Sequence, residues 1–404
     1  MKITNVEVIK FRVTDEYYRK HHRWGYGCPP EDRKVGGDTP LDDLEYTVGA
    51  GINGIQTITK ISTDEGAEGY MLGGDEKTIE YNYKPLLLGE DPLSREKIWT
   101  WMEHAHSYHD SPNSISEHES GIIDCALWDL FGRMTNLPVH KLLGGSREKV
   151  KAYASTFPNM GKPEDYAKFA LECKNQGYKA FKVHAYIAWD PINWEPAPLM
   201  PAFTDHDLEV CTAVREAVGD DMVLMLDPFG VYTLQDALKV ARGLEELNYY
   251  WLEHPMMETK IEPYRRLTSQ TEIAILSPEH ARGGVSTRAE WILQGACDMI
   301  RTDISFGGIT GCYKTVSIAQ AYGIQCEMHG GGWGNSHILG AFDQSTCEYF
   351  EHGLLRPGFD YSKPPIYLKN TCDPLDDDGN VILPTKPGLG FELEWDYIND
   401  NLIK

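Results

Sequence analysis

A regular alternation of short apolar strands and helical stretches begins near residue 149 and limits what this chain can become. It reads KVKAYAS (from Lys149), AFKVHA (Ala180), MVLMLDP (Met222), YYWLEHP (Tyr249), AILSPEH (Ala274), MIRTDIS (Met299), IQCEMHG (Ile324) and CEYFE (Cys347). After a first gap of about 31 residues and a longer second one, the spacing settles near 23 to 27. Helical periodicity fills the intervals, as at Leu234, Ala237, Leu238, Ala241 and Leu244. Strands and helices alternating at this interval form parallel βαβ units. Eight of them predict an α/β fold, a (β/α)8 barrel.

The flanking segments have another character. A strand is expected over Ile3–Val13, a hairpin around Thr57–Leu72 and a helix from about Ser114, where Ile122, Ala126, Leu130 and Met134 repeat every four residues. After Gly358 the signals return to strands and turns, including Asp378-Gly379. The expected organisation is an N-terminal α+β capping domain over 1–125, a barrel over 126–357 and a segment over 358–404 returning to the cap.

With 38 Lys and Arg against 61 Asp and Glu, the net charge of −23 argues against binding nucleic acid or an anionic membrane. An anionic substrate must then be held by local cations or a metal. No apolar run approaches the ~18 residues of a membrane span, and the opening MKITNVEVIKFRV lacks a signal-peptide block. The nine scattered cysteines form no CxxC and read as reduced and buried, so the expected location is the cytoplasm. No nucleotide-binding glycine motif and no GxSxG nucleophile is present.

In such a barrel the chemistry sits at the C-terminal ends of the strands. Asp227, Glu253 and Glu279 end the third, fourth and fifth strands, each 26 residues after the one before. Three like charges at one level must shift their pKa values strongly or hold a cation. Oxygen-only ligation with open positions suits Mg²⁺. Asp303 on the sixth strand and His329 ending the seventh form a candidate dyad, in which the carboxylate fixes one ring nitrogen and leaves the other for proton transfer. On the second strand Lys182 and His184 point into the barrel mouth, making His184 a second candidate base. Glu351 ends the eighth strand and could set a protonated carboxyl against a substrate oxygen, with Glu348 as its rival. A base supplies only about 3–5 kcal/mol of a barrier reduction that often reaches roughly 8–23 kcal/mol. A cation steadying an enediolate supplies the missing electrostatic part, so the expected chemistry is proton abstraction α to a carboxylate.

These residues resemble the enolase superfamily and, within it, the mandelate racemase-like subgroup. The likeness rests on the evenly spaced Asp227, Glu253 and Glu279, the Asp303–His329 pair, Lys182-Val-His184, ALWDLFGRMTNLPVHKLLGG from Ala126 and PGLGFELEWD from Pro387. It implies a capping domain over a (β/α)8 barrel, one Mg²⁺ on the three carboxylates and a small-molecule carboxylate substrate, in a homo-oligomer. Many similar proteins dehydrate sugar acids, which points to a hydro-lyase acting on an aldonate or aldarate; a racemase, epimerase or lactone cycloisomerase, or a non-catalytic homologue, are the alternatives. One departure stands out: the subgroup commonly has Lys-x-Lys where this chain has Lys182-Val-His184. That leaves the base open between His184 and His329, with Lys182 binding the carboxylate or tuning its neighbour. In the resembled family the region equivalent to Glu16–Gly36 closes over the site, making Arg19, Lys20, His22, Arg23 and Tyr26 candidate substrate contacts. Trp189, in the proline-rich insertion after the second strand, joins them.

Overall fold

The structure, a computed structural model, describes residues 1–13, 55–106, 116–158, 160–184, 189–190, 195–196, 204–355, 357 and 361–403. Three strands open it: β1 (Ile3–Arg12), β2 (Ile55–Thr63) and β3 (Glu68–Leu72) form an antiparallel sheet in that order. The helix Glu117–Thr135 lies on it, burying Ile122, Ile123, Ala126, Leu127 and Leu130. Ser116 caps its start by accepting from the Glu119 amide, and Asn136 at φ 55° ends it in the left-handed region. Gly69 lets sheet and helix meet, since a Cβ there would stand 2.2 Å from the Ala126 carbonyl oxygen.

All eight expected barrel strands are present. They are β4 (Lys149–Thr156), β5 (Ala180–Val183), then β8 (Val223–Leu226), β9 (Trp251–Glu253), β10 (Ala274–Leu276), β11 (Met299–Thr302), β12 (Gln325–Met328) and β13 (Tyr349–Leu355). Between β5 and β8 a two-stranded ribbon pairs β6 (Trp189–Asp190) with β7 (Glu195–Pro196). The barrel sheet runs β12-β11-β10-β9-β8-β5-β4-β13, all parallel. Its seam is closed by the Cys326 amide donating to the Thr346 carbonyl and by the buried Glu327 carboxylate, which accepts the amides of Glu348 and Tyr349 at 2.8 and 3.0 Å. The tail adds β14 (Asn380–Ile382) antiparallel to the start of β4, after a turn in which Gly379 has φ +79°. It then crosses to the cap, where Leu402 bridges to Phe11.

The sheet interior alternates with period two. Tyr153, Ala180, Met225, Trp251, Leu276, Met299 and Tyr349 form an apolar plug. Two residues further along their strands come Ser155, Lys182, Asp227, Glu253, Arg301 and Glu351, a polar layer laid directly on that plug. Eight cysteines among the described residues are free and seven of them are buried. No helix among the described residues is long and apolar enough to cross a membrane.

Candidate active site

Each of the three carboxylates is paired with basic side chains. Asp227 follows β8 directly, where its amide donates to the Val183 carbonyl and its Oδ1 accepts from the Phe229 amide. Its Oδ2 lies 3.0 Å from His184 Nε2. Burial opposes ionisation of Asp227, but the His184 imidazole holds its pKa below the ordinary value. Glu253 accepts from Lys182 Nζ at 3.0 Å and from the Trp251 indole at 3.2 Å. Its pKa is raised by complete burial, which Arg301 and Lys182 offset only in part. Glu279 is ringed by imidazoles, with His329 Nε2 at 2.8 Å and His280 Nε2 at 3.1 Å from Oε1, and His254 Nδ1 at 3.1 Å from Oε2. They outweigh its burial and hold its pKa well below normal. Burial alone would lower the His254 pKa; Glu279 instead raises it to about 9. Below this loop the Glu258 carboxylate accepts the amides of Glu279, His280 and Ala281, fixing the turn that presents Glu279.

Oxygens of Asp227, Glu253 and Glu279 lie within 4.8 Å of one another. A Mg²⁺ ion with oxygens at roughly 2.1 Å spans at most about 4.2 Å between opposite ligands, so slight closure brings this set onto one ion. Glu253 Oε1 and Glu279 Oε2 are buried and face Arg301 at 2.8 Å and His254 at 3.1 Å as ion pairs, outside hydrogen-bond geometry. Two such oxygens in a hard, all-carboxylate set fit Mg²⁺ well.

His329 stands beside this trio with a side chain 35% exposed toward the pocket. Its Nδ1 meets Asp303 Oδ2 at 2.7 Å, and Asp303 is itself fixed by the Ser305 amide. Burial works against charging this imidazole, but Glu279 and Asp303 raise its pKa well above normal. Asp303 moves the other way: burial is outweighed by His329, and the carboxyl stays ionised.

His184 occupies a different position. Nδ1 donates to the Thr156 carbonyl at 2.6 Å, its amide donates to Thr156 Oγ1, and only 2% of the residue is exposed. The nitrogen left over is the one facing Asp227. Lys182 is equally buried, 2.7 Å from Glu351 and 3.7 Å from Asp227, and its pKa is raised well above normal: burial opposes its charge, and Glu253 and Glu351 outweigh burial. Glu351 corrects the expectation of a protonated carboxyl. Despite burial, Lys182 and Arg301 hold its pKa well below normal, and it accepts from Ser155 Oγ, Arg301 and the Gly330 amide. Its rival Glu348 lies at the opposite end of the barrel, with Tyr250 and Lys151.

A cavity of about 600 Å³ opens over these groups, lined by Lys182, His184, Asp227, Glu279, His329 and Glu351. That size suits a small organic acid. Leu72 of the cap reaches its wall, as do Tyr361, Lys363, Asn370 and Asp373 of the tail. Arg19, Lys20, His22, Arg23 and Tyr26 lie outside the described residues; Trp189 begins β6, and its side chain is likewise outside them. Sequence reasoning missed His254, His280 and Arg301. The first two carried a signal, because Glu-His recurs at the ends of the fourth and fifth strands. Arg301 hid in an apolar strand, where it spans Glu351, Tyr153 and Glu253.

Known proteins share this design. Residues 165–397 match the enolase C-terminal domain-like family and residues 44–144 the N-terminal domain of mandelate racemase and muconate lactonizing enzyme. An arabinonate dehydratase of Saccharolobus solfataricus is 29% identical over 83% of this chain and 87% of its own length. A D-galactarolactone cycloisomerase of Agrobacterium fabrum is 28% identical, over 85% of this chain and 90% of its own length. The crystal structure of a D-glucarate dehydratase from Agrobacterium tumefaciens, complexed with magnesium, superposes with TM-score 0.86 at 36% identity, covering 100% of both chains. Barrel, cap and matched domains agree, and this chain belongs to the enolase superfamily, in its mandelate racemase-like group.

Proposed function

We propose that this chain is a Mg²⁺-dependent dehydratase of an aldonic or aldaric acid, releasing water to give a 2-keto-3-deoxy acid. One observation carries the reading: three converging carboxylates, two of them lining one cavity, stand beside a histidine paired to an aspartate. Relatives that are dehydratases of sugar acids support it. Asp227, Glu253 and Glu279 would hold the ion, which would stabilise the negative charge developing on the substrate carboxylate.

The protein groups do the rest. With Nδ1 tied to Asp303, His329 offers Nε2, once it leaves Glu279, to the proton on C2. Asp303 then stabilises the imidazolium. The imidazolium returns its proton to the 3-hydroxyl as the C3–O bond breaks, and the departing group is water. Ketonisation of the resulting enol completes the 2-keto-3-deoxy acid. His184, locked between Thr156 and Asp227, orients that carboxylate. Lys182 and Arg301 hold Glu253 and Glu351 from beneath. Arg19, Lys20, His22, Arg23, Tyr26 and Trp189 are assigned to substrate contact, because a polar, cationic loop offsets the acidic surface. The working unit is proposed as a cytoplasmic homo-oligomer with cap 1–125, barrel 126–357 and returning tail 358–404; light scattering reads its mass.

A second reading, lactone cycloisomerase or epimerase, shares the first proton transfer and is favoured by the cycloisomerase relative. A library of aldonic and aldaric acids assayed for Mg²⁺-dependent keto acid, with deuterium exchange at C2 followed in parallel, separates the two. Keto acid supports dehydration. Exchange without keto acid refutes dehydration, and neither signal across the library refutes both.

A further inference from the structure

We propose that Asn335 is the positioning residue that holds Asp303 and His329 together, so that the reaction rate, but not substrate or metal affinity, depends on its side-chain amide. The inference rests on the acid–base role given to His329 above. Asp303 and His329 are the first residues beyond paired strands, because the ladder between β11 and β12 ends at Thr302 and Met328. After His329 come Gly330, Gly331 and Gly332, two of them at positive φ (Gly330 at 69° and Gly332 at 106°). Such a run has little stiffness of its own. The His329 backbone therefore needs another anchor once the sheet ends.

Asn335, the third residue of the helix Trp333–Ala341, is 3% exposed and is not among the residues lining the cavity. Its Oδ1 accepts the Ile304 amide at 3.2 Å. Its Nδ2 donates to the carbonyls of His329, Gly330 and Gly331 at 2.8, 3.2 and 3.3 Å. On the other flank the His329 amide donates to the Thr302 carbonyl at 2.8 Å. Both neighbours of Asp303 are thus tied to the His329 backbone, directly at Thr302 and through Asn335 at Ile304. Closing both flanks fixes the 2.7 Å contact between Asp303 Oδ2 and His329 Nδ1. The clamp calls for a primary amide, since one group accepts from an N–H and donates to several carbonyls. A carboxylate has no proton to give them, and an apolar side chain leaves them unpaired in the interior. Room comes from Gly334, where a Cβ would stand 2.8 Å from Ile304 Cγ2. Glu351 accepts the Gly330 amide, so the loop keeps an anchor when Asn335 is removed, and what it loses is the tie to Asp303.

A misplacement of ~1 Å costs roughly 10²-fold in rate. The test compares Asn335→Ala and the milder Asn335→Ser with Ser336→Ala, a buried neighbour whose hydroxyl bonds back to the Trp333 carbonyl. Each full-length protein is crystallised, and kcat, KM, C2 exchange and Mg²⁺ affinity are measured with the sugar acid found in the library. In both Asn335 variants the separation of His329 Nδ1 from Asp303 Oδ2 should open beyond about 3.5 Å. There kcat and C2 exchange should fall roughly 10²-fold, with KM and Mg²⁺ affinity kept within about threefold. Ser336→Ala should keep both contact and rate. A 2.7 Å contact retained in a folded Asn335 variant, or a kcat close to the parent's, overturns the inference. Equal damage in Ser336→Ala also overturns it, because the effect is then general packing. The crystal comparison needs no turnover: a protein that dehydrates nothing yet loses the contact in the Asn335 variants refutes the reaction and supports the clamp. A contact kept beside full dehydratase activity refutes the clamp and leaves the reaction standing. Asn335→Ser decides the matter if Asn335→Ala fails to fold.

Discussion

Replacing His329 by Asn tests the assignment of the base. The side chain lines the cavity wall, and its two partners are Asp303 at 2.7 Å and Glu279 at 2.8 Å. An Asn keeps the amide within reach of Asp303 but removes the ring nitrogen beyond it, so the fold and the carboxylate trio survive. What is lost is general-base catalysis, typically 10²–10⁴-fold or about 3–5 kcal/mol of barrier. Two rates report on it: keto-acid formation at saturating substrate and Mg²⁺, and exchange of the C2 hydrogen with solvent deuterium by NMR. Both should fall together by roughly 10²–10⁴-fold, with Mg²⁺ affinity retained. If exchange stays within tenfold of the parent while elimination disappears, His329 is only the acid and His184 takes the proton. His184→Asn supplies the comparison. Its nitrogen faces Asp227 at 3.0 Å, so that variant should weaken Mg²⁺ binding rather than abolish exchange at saturating metal.

Other outcomes follow from the scaffold. Gly121→Ala drives a Cβ to 2.0 Å from the Ile304 carbonyl oxygen, next to Asp303; overpacking of this kind costs about 1–3 kcal/mol, so Tm and kcat should drop together, and an unchanged Tm would refute the close helix-to-loop contact. Lys182→Met leaves Glu253 and Glu351 short of a buried cation, which should cost about 3–5 kcal/mol in urea unfolding at neutral pH; a loss under about 1 kcal/mol would contradict the charge layer. Glu327, pushed up to about 7 by burial, is protonated more readily folded than unfolded. Its contribution, of order 3 kcal/mol, is fully present below about pH 4.5 and is lost as pH rises through about 7. Glu327→Gln, which can accept only one of the two seam amides, carries a pH-independent cost of about 1 kcal/mol. The parent should therefore lose stability relative to Glu327→Gln between about pH 5 and 8, and a flat difference would refute it.

The barrel was legible because its strands are short, apolar and evenly spaced, and because a carboxylate after such a strand can only project from its end. Asp227, Glu253 and Glu279 converge for that reason. Lys182 and His184 were readable as inward-facing from strand alternation alone, since Val183 between them must face the helices. Their partners were not readable. Whether His184 addresses a substrate or Asp227 depends on Thr156, 28 residues away, whose carbonyl claims Nδ1. Lys182 and Arg301 together turned Glu351 from an expected acid into a carboxylate, a long-range charge effect that no local pattern carries. His254 meets Glu279 from a backbone at φ +39°, which residue type alone does not announce. The tail residues lining the cavity depend on the return path of the chain, set by β14 pairing with β4.

The account turns on one ion gripped by three carboxylates. Crystals grown with Mn²⁺ in place of Mg²⁺, with diffraction recorded at the manganese absorption edge, address it directly. The predicted result is an anomalous peak between Asp227, Glu253 and Glu279, within roughly 2.0–2.4 Å of an oxygen from each. An empty centre there, at Mn²⁺ concentrations that saturate the protein in solution, would contradict it.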